Sequence, residues 1–227
     1  FEKAGLDTEK PPATWAEVIA ACRALKAKNA TPVPMGSAWP IWIQFEQYAA
    51  MHDLQFATKS NGFEGLDTEL KVNTAPFVKQ MQRLMDMSKE GLFKYAGRDN
   101  AADPIFPSGE AAIGFNSSAA RAGIARDAKF RWAAALLPID PEVNAKPINS
   151  IIGGASLWTM TAPSRTPVEY KACAQFLKFI GRADNDAVWH QKTGYVPVTL
   201  AGYELSKQQG YYQKNVGTDL PIIQLTR

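Results

Sequence analysis

The residues of this chain that could act as a nucleophile or a general base do not form a recognisable catalytic set. His52 and His190 are its only histidines. Nucleophilic catalysis needs a nucleophile and a base that a third group holds in place. The serines instead fall in segments typical of helix caps and loops, and no G-x-S-x-G turn is present. We interpret His190, near the end of a predicted helix, as a surface or packing histidine.

Signatures of metals and cofactors are equally sparse. Cys22 and Cys173 stand alone at apolar positions of predicted helices, which favours buried free thiols over a disulfide. With two histidines and no carboxylate cluster, zinc is not predicted. No phosphate-binding loop or dinucleotide fingerprint occurs. Asp99 and Asp103 could act as a glycosidase pair, although a solvated loop face explains them more simply. We therefore predict no catalytic residue, no metal and no cofactor.

Residue types suited to ligand binding are better represented. Trp39 and Trp42 lie three residues apart at a predicted helix start and could form one aromatic wall, with core packing as the alternative. Ser117 and Ser118 precede a predicted helix, where hydroxyls and free first-turn amides suit a phosphate or carboxylate. Taken alone, these serines are better explained by plain helix capping.

A glycine pair and a tyrosine complete the binding candidates. Gly153 and Gly154 allow backbone amides to approach a ligand closely, or they mark a simple turn or bulge. Tyr195 follows Gly194 at the end of a predicted helix and offers a hydroxyl donor, or a ring packed under the connector. These features together indicate binding rather than catalysis.

Composition narrows the class of protein further. The 227 residues are 46% hydrophobic and 21% charged, which is typical of a globular chain of one large or two small domains. The net charge is +3 and the basic residues are scattered, so we predict no nucleic-acid partner. No run approaches the roughly 20 apolar residues of a membrane span. The first five residues are typical of the last turn of a helix, not of a signal peptide.

The elements that position these candidates alternate between helix and strand, which predicts an α/β fold. The expected helices cover about 15–28, 40–48, 74–90, 119–128, 166–180, 185–193 and 200 onwards, and the expected strands 33–36, 111–115, 130–139 and 157–161. Thr14 with Glu17, and Thr166 with Glu169, are spaced as capping boxes. Apolar spacing predicts inward faces that include Ile41 and Phe45, Met81 and Met85, and Phe176 and Leu177.

Four segments resemble the family 1 extracellular solute-binding proteins, and in particular their glycerol-phosphate branch. They are residues 1–7, 37–44, 151–158 and 189–197. The resemblance runs from end to end of the chain. It implies a fold of the type II periplasmic binding proteins, in which two α/β lobes joined by hinge strands close on one ligand.

The resemblance also implies a domain division and a ligand site. Residues 6–150 and 199–227 would form the C-terminal ligand-binding lobe, and 151–198 would supply hinge strands and helices to the N-terminal lobe, most of which is absent. The ligand contacts of the family map onto Trp39 and Trp42 as an aromatic wall, and onto Ser117, Gly154 and Tyr195 as polar contacts. An arginine expected near the C-terminus has no clear counterpart.

The function implied is that of a periplasmic, monomeric binding component of an ABC importer. It would capture glycerol 3-phosphate or a glycerophosphodiester and deliver it to a permease in the inner membrane. A sugar or oligosaccharide binder of the same fold is the first alternative, because the tryptophans suit sugars equally well. A hydrolase is the second alternative, and it is disfavoured by the missing catalytic set.

Overall fold

The structure, a computed structural model, describes residues 1–226 and has a mixed α/β fold. Its sheet contains three parallel strands in the order β2-β1-β3, with β1 at Val33–Ser37, β2 at Phe93–Lys94 and β3 at Ala111–Phe115. Met35 of β1 pairs with Phe93 on one side and with Ile113 on the other. The central strand is buried from Pro34 onwards, as expected for a parallel strand covered on both faces.

Ten α-helices accompany this sheet in residues 1–226. The α-helices are α1 Trp15–Ala27, α2 Tyr48–Met51, α3 Thr58–Asn61, α4 Ala75–Lys89, α5 Arg121–Asp127, α6 Pro167–Ile180, α7 Ala183–Thr193, α8 Leu200–Gln208, α9 Tyr211–Lys214 and α10 Leu220–Leu225. Short 3-10 helices occupy Glu2–Ala4, Asp99–Ala102 and Ser118–Ala120, and a π-helix occupies Trp42–Gln47. No helix in the described part of the chain combines the length and the apolar character that crossing a membrane requires.

Both predicted capping boxes are confirmed. Thr14 Oγ1 accepts a hydrogen bond from the Glu17 amide, and the Glu17 carboxylate accepts one from the Thr14 amide at 2.9 Å. Thr166 and Glu169 make the same reciprocal pair at the start of α6. Each pair satisfies amides that a helix start would otherwise leave without partners, so the starts of α1 and α6 are fixed by local sequence.

The main hydrophobic core lies where α1, α4 and the π-helix pack on the sheet. Trp15 of α1 stacks on Phe115 of β3 with ring centroids 5.7 Å apart. Around this pair are buried side chains from every neighbouring element, namely Val18, Cys22, Met35, Ile43, Tyr48, Leu84, Met87, Leu92 and Phe93. Cys22 is a buried free thiol as predicted, and burial raises its pKa to about 12. Cys173 is also free but only half-buried.

Two predicted strands are wrong. Residues 130–139 form a single β-bridge, between Ile139 and Thr14, and Phe130 is exposed. Residues 157–161 form no strand, and Trp158 is 82% exposed. A strand requires a neighbour that accepts its amide and carbonyl groups. Within residues 1–226 no strand pairs with residues 130–138 or 157–161, so the apolar pattern alone gave a wrong prediction.

Several predicted inward faces also differ from the structure. Ile41 and Met85 are exposed, and α6 buries none of its residues, including Phe176 and Leu177. Of the other residues expected to face inward here, Tyr48 is buried and Phe45 is half-buried against Phe77. The π-helix also buries Ile43, Gln44 and Gln47. Tyr170, Cys173 and Ile180 of α6 are half-buried, whereas Phe176 and Leu177 remain exposed in the described part of the chain.

A polar network runs through the core beneath the sheet. Asp140 is 4% exposed, and its carboxylate accepts hydrogen bonds from Arg83 and, at 3.3 Å, from Tyr48. His52 Nδ1 donates to the Tyr48 carbonyl at 2.7 Å, and His52 Nε2 accepts from the Asp140 amide at 2.7 Å. These partners hold His52 as the neutral Nδ1–H tautomer.

This network predicts a loss of stability at mildly acidic pH. Burial lowers the pKa of His52 below its usual 6.5, so below about pH 6.5 the unfolded chain takes up a proton that the folded chain resists. Burial would raise the pKa of Asp140, but Arg83 and Lys79 outweigh it and hold that pKa below 3.8. The stability that Asp140 contributes is therefore lost only as the pH falls further, through its folded pKa.

We expect the free energy of unfolding, measured with urea, to decline from pH 7.5 to pH 5, and His52→Gln to flatten that decline. A wild-type protein equally stable at both pH values would contradict this prediction.

Candidate ligand-binding site

A cleft of about 1160 Å³ extends along β3 and includes the carboxyl ends of β1 and β3. Its lining includes three residues of the π-helix, residues 114–118 at the end of β3 and just after it, and residues 150–153 and 194–196. The carboxyl ends of parallel strands are where open α/β sheets bind ligands. Of the residues predicted to bind ligand, Trp42, Ser117 and Tyr195 line this cleft.

Trp42 is placed by the π-helix and by the glycine pair. A Cβ on Gly153 would lie 2.5 Å from Trp42 Cζ2, so only glycine allows the backbone to pass this close to the ring. Gln47, which is buried, donates from Nε2 to the Ile151 carbonyl at 2.7 Å and accepts from the Ile151 amide at 3.0 Å. The π-helix therefore positions the aromatic ring and also holds the segment that carries the glycine pair.

Trp39 is separated from Trp42 by its backbone conformation. It precedes the helix with a φ of 46°, its amide donates to the Asp99 carbonyl, and it is 39% exposed. It is not among the residues that line the cleft. The aromatic wall predicted from the three-residue spacing is therefore formed by Trp42 without Trp39, because the spacing assumed that both residues lie on one helix.

Gly154 contacts Tyr195 from the edge of the cleft. Its φ is 109°, and a Cβ there would lie 2.8 Å from Tyr195 Cε1. Gly154 does not itself line the cleft, but it is stacked on the ring that does. Within residues 1–226 the Tyr195 hydroxyl makes no hydrogen bond, so its donor is available to a ligand.

The connector that carries Tyr195, residues 194–199 after the end of α7, is held from both ends. His190 is 2% exposed; its Nδ1 donates to the Tyr195 carbonyl, and its Nε2 accepts from the Tyr212 hydroxyl at 3.1 Å. Asp186 accepts hydrogen bonds from the amides of Val198 and Thr199 at 3.0 Å and 2.9 Å. His190 is thus a buried packing residue, which is one of the two roles predicted for it. It also orients the connector that carries Tyr195.

The helix start that carries Ser117 contacts this connector. A Cβ on Gly194 would lie 2.9 Å from the Ser118 carbonyl oxygen, so the helix start and the connector touch. Ser117 Oγ accepts from the Ala119 amide at 3.3 Å, which confirms capping. An oxygen that accepts in this way still carries its own O–H, which can be donated to a ligand.

The cleft also contains residues that sequence reasoning missed. No sequence pattern marked Gln47, because its hydrogen-bond partner Ile151 is distant in sequence. Arg121 lines the cleft one turn after Ser117, and this spacing is a signal that could have been used. Asp99 and Asp103, the alternative carboxylate pair, are not among the lining residues. No cluster of metal-ligating side chains occurs in residues 1–226.

The geometry is that of a binding cleft lined by an aromatic ring and free hydroxyl donors, and comparison with known proteins identifies its class. The family model for bacterial extracellular solute-binding proteins matches residues 1–216. The chain belongs to this family.

The similar proteins come from several enterobacteria. The chain is 42% identical over 225 residues to the sn-glycerol-3-phosphate-binding periplasmic protein UgpB of Pectobacterium atrosepticum, covering 99% of this chain and 50% of that protein. It is also 42% identical to UgpB of Salmonella typhimurium, of which it covers 51%. The chain thus spans about half the length of the curated relatives it matches.

Solved structures share the fold. UgpB from Mycobacterium tuberculosis, crystallised in complex with glycerophosphocholine, matches with a TM-score of 0.70 at 17% identity, over 100% of this chain and 54% of that one. A cyclic alpha-maltosyl-1,6-maltose binding protein from Arthrobacter globiformis matches with a TM-score of 0.71 at 19% identity, over 97% and 54%. These similarities confirm the predicted solute-binding-protein fold.

Proposed function

We propose that this chain is part of the substrate-binding component of a periplasmic ABC importer, which captures sn-glycerol 3-phosphate or a glycerophosphodiester and delivers it unchanged to a membrane permease. The observation that carries the proposal is the shared cleft of Trp42, Ser117 and Tyr195, in a chain 42% identical to proteins named for binding sn-glycerol 3-phosphate.

The chemistry of the cleft supports this ligand class. A phosphate is costly to remove from water unless it receives several hydrogen bonds. Ser117 and Tyr195 supply free hydroxyl donors, and the exposed backbone at Gly153 and Gly154 supplies amides. The ring of Trp42 offers an apolar face for the three-carbon backbone of glycerol.

We also propose the division into lobes that the family resemblance implies. Residues 6–150 and 199–227 would form the C-terminal lobe, and 151–198 would contribute to the other; Arg227 lies outside the described residues. The exposed apolar side chains of α6 and of residues 151–160 support this division, because relatives twice as long have further chain to cover them. The binding component would act as a monomer without a nucleic-acid partner, and closure of the lobes would signal the bound state.

A ligand panel tests the proposal in the full-length protein. We expect sn-glycerol 3-phosphate or glycerophosphocholine to raise the melting temperature, because a ligand that binds only the folded state stabilises it. The aromatic cleft and the similarity in fold to a maltosyl binder keep a sugar as the second candidate. Stabilisation by maltose alone would replace the phosphate ester with a sugar, and turnover of a chromogenic glycoside or phosphodiester would indicate an enzyme.

Removing the Tyr195 hydroxyl is expected to weaken ligand binding. Tyr195→Phe keeps the ring on Gly154 and deletes one donor, so we expect a loss of about 1 kcal/mol, the scale of a neutral hydrogen bond. Calorimetry on the full-length protein measures it. Tyr203→Phe is the matched control, because Tyr203 lies outside the cleft lining. Equal affinity of wild type and Tyr195→Phe would exclude this hydroxyl from the site.

A further inference from the structure

Residues 151–154 form a strap between two of the candidate ligand-binding rings. A Cβ on Gly153 would lie 2.5 Å from Trp42 Cζ2. A Cβ on the next residue, Gly154, would lie 2.8 Å from Tyr195 Cε1. The two rings thus pack on adjacent residues of one segment, so the position of the strap sets the distance between the rings.

Hydrogen bonds to this strap come from a single side chain. The four residues of the strap are exposed and belong to no helix or strand. Within residues 1–226, no backbone–backbone hydrogen bond involves them. Gln47 instead donates from Nε2 to the Ile151 carbonyl at 2.7 Å, and its Oε1 accepts from the Ile151 amide at 3.0 Å. Gln47 is therefore the residue that fixes the backbone of the strap.

Burial makes these two hydrogen bonds effective. Gln47 is 4% exposed, and both polar groups of its side chain are paired with Ile151. The pairing resembles the exchange of two hydrogen bonds between opposite residues of an antiparallel ladder. A buried amide without partners is costly, so displacing the strap would leave the Gln47 side chain in an unfavourable state.

Buried hydrogen bonds also hold the π-helix that carries Gln47. Gln44 of this helix is 1% exposed; its Nε2 donates to Ser37 Oγ at 3.0 Å, and its Oε1 accepts from Gln80 Nε2 at 3.1 Å. These bonds join the π-helix to β1 and to α4. Trp42 and Gln47 begin and end the π-helix, separated by the i→i+5 span of its hydrogen bonds, and both line the cleft. The helix therefore fixes the Trp42 ring and the strap from one base.

We propose that Gln47 is a positioning residue of the ligand site, which holds the strap in place so that Trp42 and Tyr195 keep the spacing that the ligand needs. The inference rests on the proposed function and deepens it. Both polar groups of the Gln47 side chain are used by Ile151, so Gln47 acts through the strap and not by a hydrogen bond to the ligand. A protein that populates its binding-competent arrangement only in part loses affinity in proportion.

Calorimetry with sn-glycerol 3-phosphate on the full-length protein tests this role. Gln47→Met removes both hydrogen bonds with little change in volume. We expect its affinity to fall about 5- to 30-fold, the range for losing one to two neutral hydrogen bonds that favour the competent arrangement. An affinity of Gln47→Met equal to that of the wild type would overturn the proposal.

Gln191→Met is the matched control. Gln191 is half-buried, and its Nε2 donates to Ser206 Oγ at 3.1 Å and to Gln209 Oε1 at 2.7 Å. It is not among the residues that line the cleft. This variant also loses side-chain hydrogen bonds, so we expect it to lower the free energy of unfolding while the affinity for the ligand stays unchanged.

Gln47→Glu separates the hydrogen bonds from general packing. An ionised carboxylate accepts from the Ile151 amide but has no proton for the Ile151 carbonyl, whereas a protonated carboxyl makes both bonds. Burial favours the protonated form. We expect the affinity of Gln47→Glu, divided by that of the wild type at the same pH, to be low at about pH 8.5 and to recover at about pH 5.5. A constant ratio would overturn the proposal, also if Gln47→Met fails to fold.

Hydrogen exchange reports on the strap without any ligand. The Ile151 amide donates to Gln47 Oε1, so we expect it to exchange faster in Gln47→Met than in the wild type. The amides of β1, which is buried, should keep wild-type protection. Unchanged exchange at Ile151 would show that Gln47 does not hold the strap.

The two proposals fail in different ways. A wild-type protein that binds sn-glycerol 3-phosphate while Gln47→Met binds it equally well overturns the role of Gln47 and leaves the proposed function intact. A wild-type protein that binds no phosphate ester overturns the proposed function, and the role of Gln47 with it. A loss of affinity in Gln47→Met, with Gln191→Met unaffected, supports both.

Discussion

Replacing Asp140 with alanine is expected to lower the free energy of unfolding by about 3–5 kcal/mol, the cost of breaking a buried ion pair from one side. Asp140 is 4% exposed and pairs with Arg83, whose side chain is 10% exposed, while Lys79 Nζ lies 3.4 Å away. Without the carboxylate, Arg83 is left as a cation with little access to water. Urea unfolding of the full-length protein measures the difference.

The chain offers a matched control for this substitution. Glu142 also pairs with Lys79, at 2.5 Å, but its side chain is 81% exposed, so Glu142→Ala should cost at most about 1 kcal/mol. The double variant Asp140→Ala with Arg83→Met removes both charges and should recover part of the loss. Equal losses for Asp140→Ala and Glu142→Ala would refute a special role for the buried pair.

Introducing a methyl group at Gly153 is expected to disrupt the cleft. In Gly153→Ala the new Cβ would meet Trp42 Cζ2 at 2.5 Å, so the ring or the backbone must move. Overpacking of this kind costs about 1–3 kcal/mol. Because Trp42 and residues 151–153 line the cleft, we also expect calorimetry to show weaker binding of sn-glycerol 3-phosphate.

Two further variants show whether the contact with Trp42 is the cause. Gly123→Ala, where the nearest atom to the new Cβ is Arg126 Nη2 at 4.0 Å, should leave binding unchanged. Trp42→Phe combined with Gly153→Ala removes the colliding atom and should restore stability more than affinity, because the smaller ring covers less of the ligand. If Gly153→Ala bound the ligand with wild-type affinity in calorimetry, the segment around residue 153 would be able to move away from Trp42 without weakening binding.

Local chemistry explains which elements could be predicted. The starts of α1 and α6 were predictable because Thr14 with Glu17, and Thr166 with Glu169, satisfy their own amides within four residues. β1 was predictable from a short apolar run. The failures at residues 130–139 and 157–161 have the opposite cause, because a strand depends on a neighbour that can lie anywhere in the chain.

The residues of the site also divide into those that the sequence predicted and those that it did not. Ser117 at a helix start, Gly153 and Gly154 at a break, and Tyr195 after Gly194 were marked by residue type and position. Trp39 was grouped with Trp42 on an assumed common helix, but its positive φ places it outside the helix. Gln47 was not identified, since its role depends on Ile151, which is remote in sequence.

The amino-acid sequence by itself determined the α/β class, the capped helix starts, the residue types suited to binding and the resemblance to extracellular solute-binding proteins. Each of these depends on patterns within a few residues or on similarity along the whole chain. Only the tertiary structure decided that Trp42, Ser117 and Tyr195 share one cleft and that Trp39 does not line it. These juxtapositions arise because the π-helix and the glycines at 153, 154 and 194 let distant segments approach more closely than any residue with a Cβ would allow.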